Sequence, residues 1–448
     1  MKIILLSGGS GKRLWPLSND IRSKQFIKFF KRPQELIPAG AEKADEYESM
    51  VQRVYRQIKA VDPDVTVTIA TSQTQVSAIY NQLGKEVGIS VEPCRRDTFP
   101  AIALATSYLH DVQGVPEDEA VVVCPVDPYV NEDYFQAVKK LWELAQAGEA
   151  NLTLMGIDPT YPSEKYGYIM PVTKDQVSKV SSFKEKPDEK TAAEYIAAGG
   201  LWNGGVFAYK LSYVLNRAHE LIDFTDYADL FAKYETLTKI SFDYAVVERE
   251  KDIAVMRFNG QWKDIGTWNT LSESMEEQCI GRATLGAGCE DVSIVNELNL
   301  PILAMGLKDT IVAASPDGIL VTTKDASTRI KPYVDKIDQQ IMYAEKSWGS
   351  YQVIDVADSS LTIKVTLNAG HAMNYHSHER RDEVWTVISG RGRAIIDGRE
   401  QAVKAGDTLS MPAGCKHTVL ADTKLYLIEV QLGTDINAAD KQRYEMPV

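Results

Sequence analysis

"LLSGGSGKRLWPLS" occupies Leu5–Ser18, directly behind the apolar run "KIILL" at 2–6. Its glycines are followed at once by two cations, a Trp and a Pro. A glycine-rich turn leaving a strand points to a phosphate site, because successive backbone N–H groups can converge on an anion. Two common phosphate motifs are excluded by the spacing. A P-loop needs Ser or Thr after its Lys, but Lys12 is followed by Arg13, and the dinucleotide fingerprint needs Gly where Leu14 stands. What remains is a turn in which Gly8, Gly9, Ser10, Gly11 and Lys12 present N–H groups and positive charge, with Arg13 beside them. A tight turn with solvated charges is the competing reading. The adjacent cations and the place behind the first strand favour a phosphate site, since α/β sheets bind ligands beyond the carboxyl ends of their strands.

The fold follows from alternation along the first half of the chain. "VTVTIA" (65–70), "AVVVCPVD" (120–127) and "NLTLMGI" (151–157) read as buried strands, and "AIALATSYL" (101–109) and "YFQAVKKLWELAQA" (134–147) as helices. Strand–helix alternation predicts an α/β domain with a doubly wound, mostly parallel sheet. The charged stretch "RPQELIPAGAEKADEYES" (32–49) reads as a surface excursion. Beyond about residue 275 the helical pattern fades into short strands, and from about Ser347 strand follows strand with glycine turns, an all-β barrel pattern. The expected divisions are 1–275, a β-rich connecting region at 276–340 and a barrel domain at 341–448.

Composition narrows the function. The 448 residues carry a net charge of −13 with 44% hydrophobic and 25% charged content, as in a soluble globular protein. Backbone binding of nucleic acid needs clustered Lys and Arg, so neither nucleic acid nor a membrane is an expected partner. The five scattered cysteines suit free thiols in a reducing, cytoplasmic setting. A homo-oligomer is expected.

"GGSGKRLWPLS" followed by "SKQF" (23–26) resembles the signature of the sugar-nucleotide pyrophosphorylases, and within them the mannose-1-phosphate guanylyltransferase family. The resemblance continues in order through "EPCRRDTFPAIALA" (92–105), "PVDPYV" (125–130), "KYGYI" (165–169), "FKEKP" (183–187), "WNGGVF" (202–207), "SFDYAVVER" (241–249) and "WKDIGTW" (262–268), and covers roughly residues 1–340. It implies formation of GDP-mannose and pyrophosphate from GTP and mannose 1-phosphate, by in-line attack of the sugar phosphate on the α-phosphorus. Catalysis is then mainly positioning and charge neutralisation. By this resemblance Arg13 and Lys24 are the catalytic cations, and Arg96 joins the phosphate turn on the nucleotide. Gly167, Glu185, Lys186 and Asn203 bind the sugar phosphate, and Asp127 and Asp264 hold Mg²⁺. Asp243 and Glu248 are sugar contacts, residues that support such contacts, or plain surface pairs. Ser23, Asp97, Pro128 and Gly204 stand where the family usually has Pro, Asn, His and Ser.

Four of the six histidines fall between His371 and His417. "GHAMNYHSHERRDEVWTVISG" and "GDTLSMPAGCKH" fit the two cupin motifs. Alternation along a strand puts His376 and His378 on one face. With Glu383 and His417 they form a three-imidazole, one-carboxylate set for a divalent transition metal such as Zn²⁺. A nucleotidyltransferase followed by a cupin resembles the bifunctional guanylyltransferase–mannose-6-phosphate isomerases. That half of the family usually has Gln at position 376 and a tail that "DINAADKQRYEMPV" reproduces poorly, so a metal-stapled domain without isomerase activity stays open. Two further alternatives are a non-catalytic sugar-nucleotide binder and a pyrophosphorylase for another sugar 1-phosphate.

Overall fold

The computed structural model describes residues 1–9, 12–19, 21–37, 46–338 and 340–446. Ser10 and Gly11 of the expected phosphate turn lie outside the described residues. Two compact units are present. One comprises Met1–Ser10, Lys24–Val76 and Leu83–Glu276; the other comprises Gly11–Ser23, Ser77–Gln82 and Glu277–Val448.

The first unit is built on nine strands: Lys2–Leu6 (β1), Thr66–Ser72 (β2), Gly88–Glu92 (β3), Ala120–Pro125 (β4), Leu152–Ile157 (β5), Tyr168–Pro171 (β6), Val177–Lys184 (β7), Leu201–Lys210 (β8) and Ile253–Phe258 (β9). Their spatial order is β3-β2-β1-β4-β8-β5-β9-β7-β6. Neighbours β3, β2, β1 and β4 are parallel, as are β5 and β9. The sheet is therefore mostly parallel, with β8 reversed against β4 and β5 and β7 reversed against β9 and β6. Every residue of β5 is buried, as expected of a strand covered on both faces. The core joins Ile4, Val121, Val123, Leu154, Phe207 and Val255. Helix Thr98–Ser107 is buried from Phe99 to its end, and its N-cap Asp97 takes φ 70° while accepting the Thr98 N–H at 2.8 Å. That left-handed backbone suits Asn better than most residues, and Asp tolerates it for the same reason, a short side chain that bonds its own backbone.

The reversal of β8 positions the site. Asn203, near the start of β8, pairs with Gly156, near the carboxyl end of β5, and thus lies at the ligand edge of the sheet. A Cβ on Gly204 would stand 3.1 Å from Ile157 Cγ1 and 3.3 Å from the Met155 carbonyl, so a larger residue there needs a small shift of its neighbours.

One sequence expectation is corrected. The end of the charged stretch at 32–49 is not surface: Tyr47–Ser49 is a buried strand paired with Lys28–Lys31. Glu48 tolerates burial because Arg56 donates to both its oxygens, at 2.7 and 3.1 Å. The segment at 38–45 lies outside the described residues.

The second unit has two β structures. Cys279–Gly281, Ser293–Asn296 and Thr310–Ser315 pair in parallel, and Gly318–Thr323 returns antiparallel. The segment at 11–23 packs onto this sheet. Arg22 makes a two-pronged ion pair with Glu297 at 2.7 and 2.9 Å, and Trp15 covers Gly318, where a Cβ would lie 2.5 Å from its ring. The cupin consists of a six-stranded and a five-stranded sheet, whose inner residues, including Leu367, Trp385, Ala394, Val419 and Leu427, form one core.

Candidate functional site

Glycine at positions 8 and 9 answers no demand of the fold. Neither residue has a positive φ. A Cβ on Gly9 would meet nothing within 4 Å, and one on Gly8 would meet only Glu92 Oε1 at 3.7 Å. Open space over a bare backbone at the end of β1 fits close approach by a bound group. Lys12 and Arg13 lie on the one-turn helix Lys12–Leu14 of the second unit, where Lys12 meets Asp335 at 3.3 Å. Arg96 spends its guanidinium on the Glu235 and Arg95 carbonyls, bracing its own loop.

Lys24 and Asp127, far apart in sequence, meet. The Lys24 ammonium donates to Asp127 Oδ2 at 2.9 Å and to the Ile265 carbonyl at 3.1 Å. Asp264 is brought alongside by a short antiparallel ribbon: Pro128–Val130 pairs with Trp262–Asp264, and Asp264 sits opposite Pro128. Asp127 thus adjoins the residue opposite Asp264, and carboxylate oxygens are the donors a hard divalent ion takes. The Tyr166 phenol reports the same charge: burial first, then Asp264, Tyr161 and Asp127, hold its pKa well above the ordinary tyrosine value. Its ring packs on Trp202 and Trp262 at 4.9 and 5.5 Å, making an apolar wall beside the carboxylates.

The expected sugar residues also converge. The Asn203 N–H donates to the Gly167 carbonyl at 2.8 Å. Glu185 is 7% exposed; Lys186 contacts its Oε1 at 2.5 Å, while its Oε2 is buried without a hydrogen-bond partner among the described residues. An unpaired buried carboxylate oxygen is costly unless a ligand donor completes it. Gly167 has to be glycine, because a Cβ would lie 2.5 Å from that same Oε2 and 2.8 Å from Phe183 Cζ. Gly167→Ala is therefore expected to raise KM for the sugar ligand by roughly 10-fold or more, the scale of one disturbed buried polar contact. Steady-state kinetics with each substrate varied would check it.

In the cupin, His376, His378, Glu383 and His417 come together, with one donor atom of each within 4.8 Å of the others. The three imidazoles are oriented alike. Their Nδ1 atoms face the Asn374, Asp440 and Cys415 carbonyls at 2.6, 3.3 and 3.0 Å, which selects the tautomer with the lone pair on Nε2; on His378 that lone pair accepts an N–H of Arg381 at 3.0 Å. The Glu383 carboxylate oxygens stand 3.1 Å from His378 Nε2 and from His417 Nε2. Burial foremost, then Lys441 and His417, brings His376 down to about 2, so it is neutral at any physiological pH. Burial alone would raise the Glu383 carboxyl, but His378 and His417 outweigh it and hold the group well below the usual range.

Asp243 is a residue whose role the resemblance left open, and several others at these sites carried no sequence signal. Asp243 accepts the Asn203 Nδ2 at 2.7 Å. Glu92, buried at the end of β3, accepts the Tyr234 hydroxyl at 2.8 Å. The tail supports the cupin cage: Lys441–Arg443 pairs with His376–His378, and the Asp440 carboxylate caps the Glu379 and Arg380 N–H groups at 3.1 Å. Glu429 stands inside the barrel on strand Leu425–Leu432, its carboxyl pushed up to about 8 by burial and then Glu383. Only the alternating pattern of "KLYLIEVQLG", which puts Glu429 in phase with Leu425 and Leu427, could have marked it.

Comparison with known proteins places the two parts of the chain in families. The nucleotidyl transferase family model matches residues 2–279, and the cupin domain model matches residues 363–430. The chain is 29% identical to the mannose-1-phosphate guanylyltransferase ManC of Salmonella typhimurium, across 99% of this chain and 97% of that protein. It is also 29% identical to the xanthan biosynthesis protein XanB of Xanthomonas campestris, with the same coverage. Among solved structures, "mannose-1-phosphate geranyltransferase" from Thermus thermophilus superposes with a TM-score of 0.60 at 25% identity, covering 75% of this chain and 98% of that one.

Proposed function

Because the chain belongs to the nucleotidyl transferase family, we propose that it forms GDP-mannose and pyrophosphate from GTP and mannose 1-phosphate. The observation that carries the reading is the Lys24–Asp127 contact beyond the carboxyl end of β4, with Asp264 opposite the neighbouring Pro128, while the parallel neighbour β1 leads into the open Gly8–Gly9 turn. Full-length relatives named for this activity support it. The site residues take the roles the resemblance implies. Gly8, Gly9, Ser10, Gly11, Lys12 and Arg96 attend the nucleotide, Arg13 the leaving pyrophosphate, and Lys24 the phosphates. Gly167, Glu185, Lys186 and Asn203 take the sugar phosphate. Glu92 is suited to guanine, whose pairing edge offers two adjacent N–H donors to one carboxylate.

Asp127 and Asp264 would hold Mg²⁺, which offsets the charge on the transferring phosphates. The remaining work is binding and orientation by the chain itself. In the cupin, His376, His378, Glu383 and His417 suit a transition metal such as Zn²⁺. Isomerisation of mannose 6-phosphate is a second activity favoured by Glu429, a buried carboxyl that can hold a proton near that cage. The described chain has no helix long and apolar enough to cross a membrane. A cytoplasmic homo-oligomer acting on small phosphates, with three domains at 1–275, 276–340 and 341–448, completes the reading.

The test is a pyrophosphate-release screen of four nucleoside triphosphates against several sugar 1-phosphates with Mg²⁺. GTP with mannose 1-phosphate is expected to give the highest kcat/KM. Release no greater than without enzyme would refute the proposal, and a different best pair would reassign the substrates.

A further inference from the structure

The sugar subsite holds a second carboxylate that reaches the ligand through Asn203. Asp243 lies on the short helix Phe242–Ala245, fixed by two N–H bonds: Phe242 N–H to Thr98 Oγ1 at 2.8 Å and Tyr244 N–H to Ser241 Oγ at 3.3 Å. Asn203 donates from Nδ2 to Asp243 Oδ1 at 2.7 Å and accepts the Gly205 N–H on Oδ1 at 3.2 Å. The amide is thus oriented from both ends. Flipping it would set its oxygen against a carboxylate and its NH₂ against an N–H donor. Glu185 faces the same space with its unpartnered Oε2.

We propose that Asp243 is a positioning residue of the sugar subsite: in its ionised form it holds the Asn203 amide in one orientation toward a hydroxyl-rich ligand, beside the Glu185 oxygen that the same ligand completes. The proposal rests on the sugar 1-phosphate reading above.

The groups facing Asp243 give it a pH dependence. Glu185 and Lys186 face it from the turn after β7 and Asn203 from β8, while Tyr244 and Glu248 share its own segment. Burial, then Glu185, pushes its carboxyl up to about 7, against the pull of Asn203 and Lys186. Below that pH the acid is protonated and holds the Asn203 Nδ2–H less firmly, so KM for the sugar 1-phosphate should rise as pH falls from about 8 to about 6. The substrate phosphate also titrates, near pH 6. That ionisation is common to every variant, so the difference between profiles isolates Asp243.

The experiment is Asp243→Asn in the full chain, with KM measured separately for GTP and mannose 1-phosphate across this pH range, and the melting temperature recorded. Asn keeps an acceptor for Asn203 but loses the charge. At pH 8 the sugar KM is expected to rise roughly 10-fold, the weight of one charge-assisted hydrogen bond. The GTP KM should stay within about twofold, and the limb near pH 7 should vanish. An unchanged sugar KM, an equal rise for both substrates, or a limb retained in the variant would overturn the proposal. A wild type that turns over no sugar 1-phosphate would overturn the functional reading, and the proposal with it.

Discussion

Asp127→Asn is expected to lower kcat for nucleotidyl transfer by roughly 10²–10³-fold, the scale of losing one preorganised electrostatic group at the reacting phosphates. The substitution removes half of the carboxylate pair that the Pro128–Val130/Trp262–Asp264 ribbon assembles. It also releases the Lys24 ammonium, which keeps only the Ile265 carbonyl of its two partners. The side chain of Asp127 is 44% exposed, so an isosteric amide leaves no cavity and the melting temperature should hold. Initial rates of pyrophosphate release over a Mg²⁺ titration provide the measurement. Saturation at higher Mg²⁺ with little recovery of kcat would place the lost charge in the transition state. A kcat within about threefold of wild type would remove Asp127 from the site.

His378→Ala is expected to empty the cupin site. His378 is 2% exposed and supplies one of three Nε2 donors, and no neighbouring side chain can replace an imidazole at that point. Metal bound at 1,000 times its dissociation constant stabilises the folded form by about 4 kcal/mol. Loss of that term from a unit of this size lowers its melting temperature by roughly 10 °C. Elemental analysis should find one transition metal per wild-type chain and none in the variant, and a chelator should lower the wild-type melting temperature to the variant's. Pyrophosphate release should persist at temperatures where the variant stays folded, because Asp127 and Asp264 belong to the other compact unit and Lys12 and Arg13, in the unit that carries the cupin, need only that it remain folded. Wild-type protein that is metal-free when purified without chelator would refute the site. Equal loss of pyrophosphate release would refute the independence of the two activities.

Local patterns in the chain determined a great deal. The strands at 2–6, 120–125 and 152–157 were legible because strands buried on both faces read as continuous apolar runs. The glycine turn announced itself through residue types that the fold around Gly8 and Gly9 does not require. The same holds for His376 and His378, since alternation along one strand places both inward without reference to the rest of the molecule. Tertiary structure decided everything that depends on distant partners. Glu48 looked like surface charge until Arg56 on the following helix paired with it. Asn203 reaches the ligand edge only because β8 runs against its neighbours, and strand direction is a matter of pairing that no single strand encodes. Asp264 stands beside Asp127 through a three-residue ribbon, Asp243 meets Asn203 across the subsite, and the tail at Asp440 holds His378 in its metal-ready tautomer. The last three join residues dozens of positions apart or more. The chemistry of a residue is written in its side chain, but its charge state, orientation and partner are set by the neighbours that folding brings within hydrogen-bond reach.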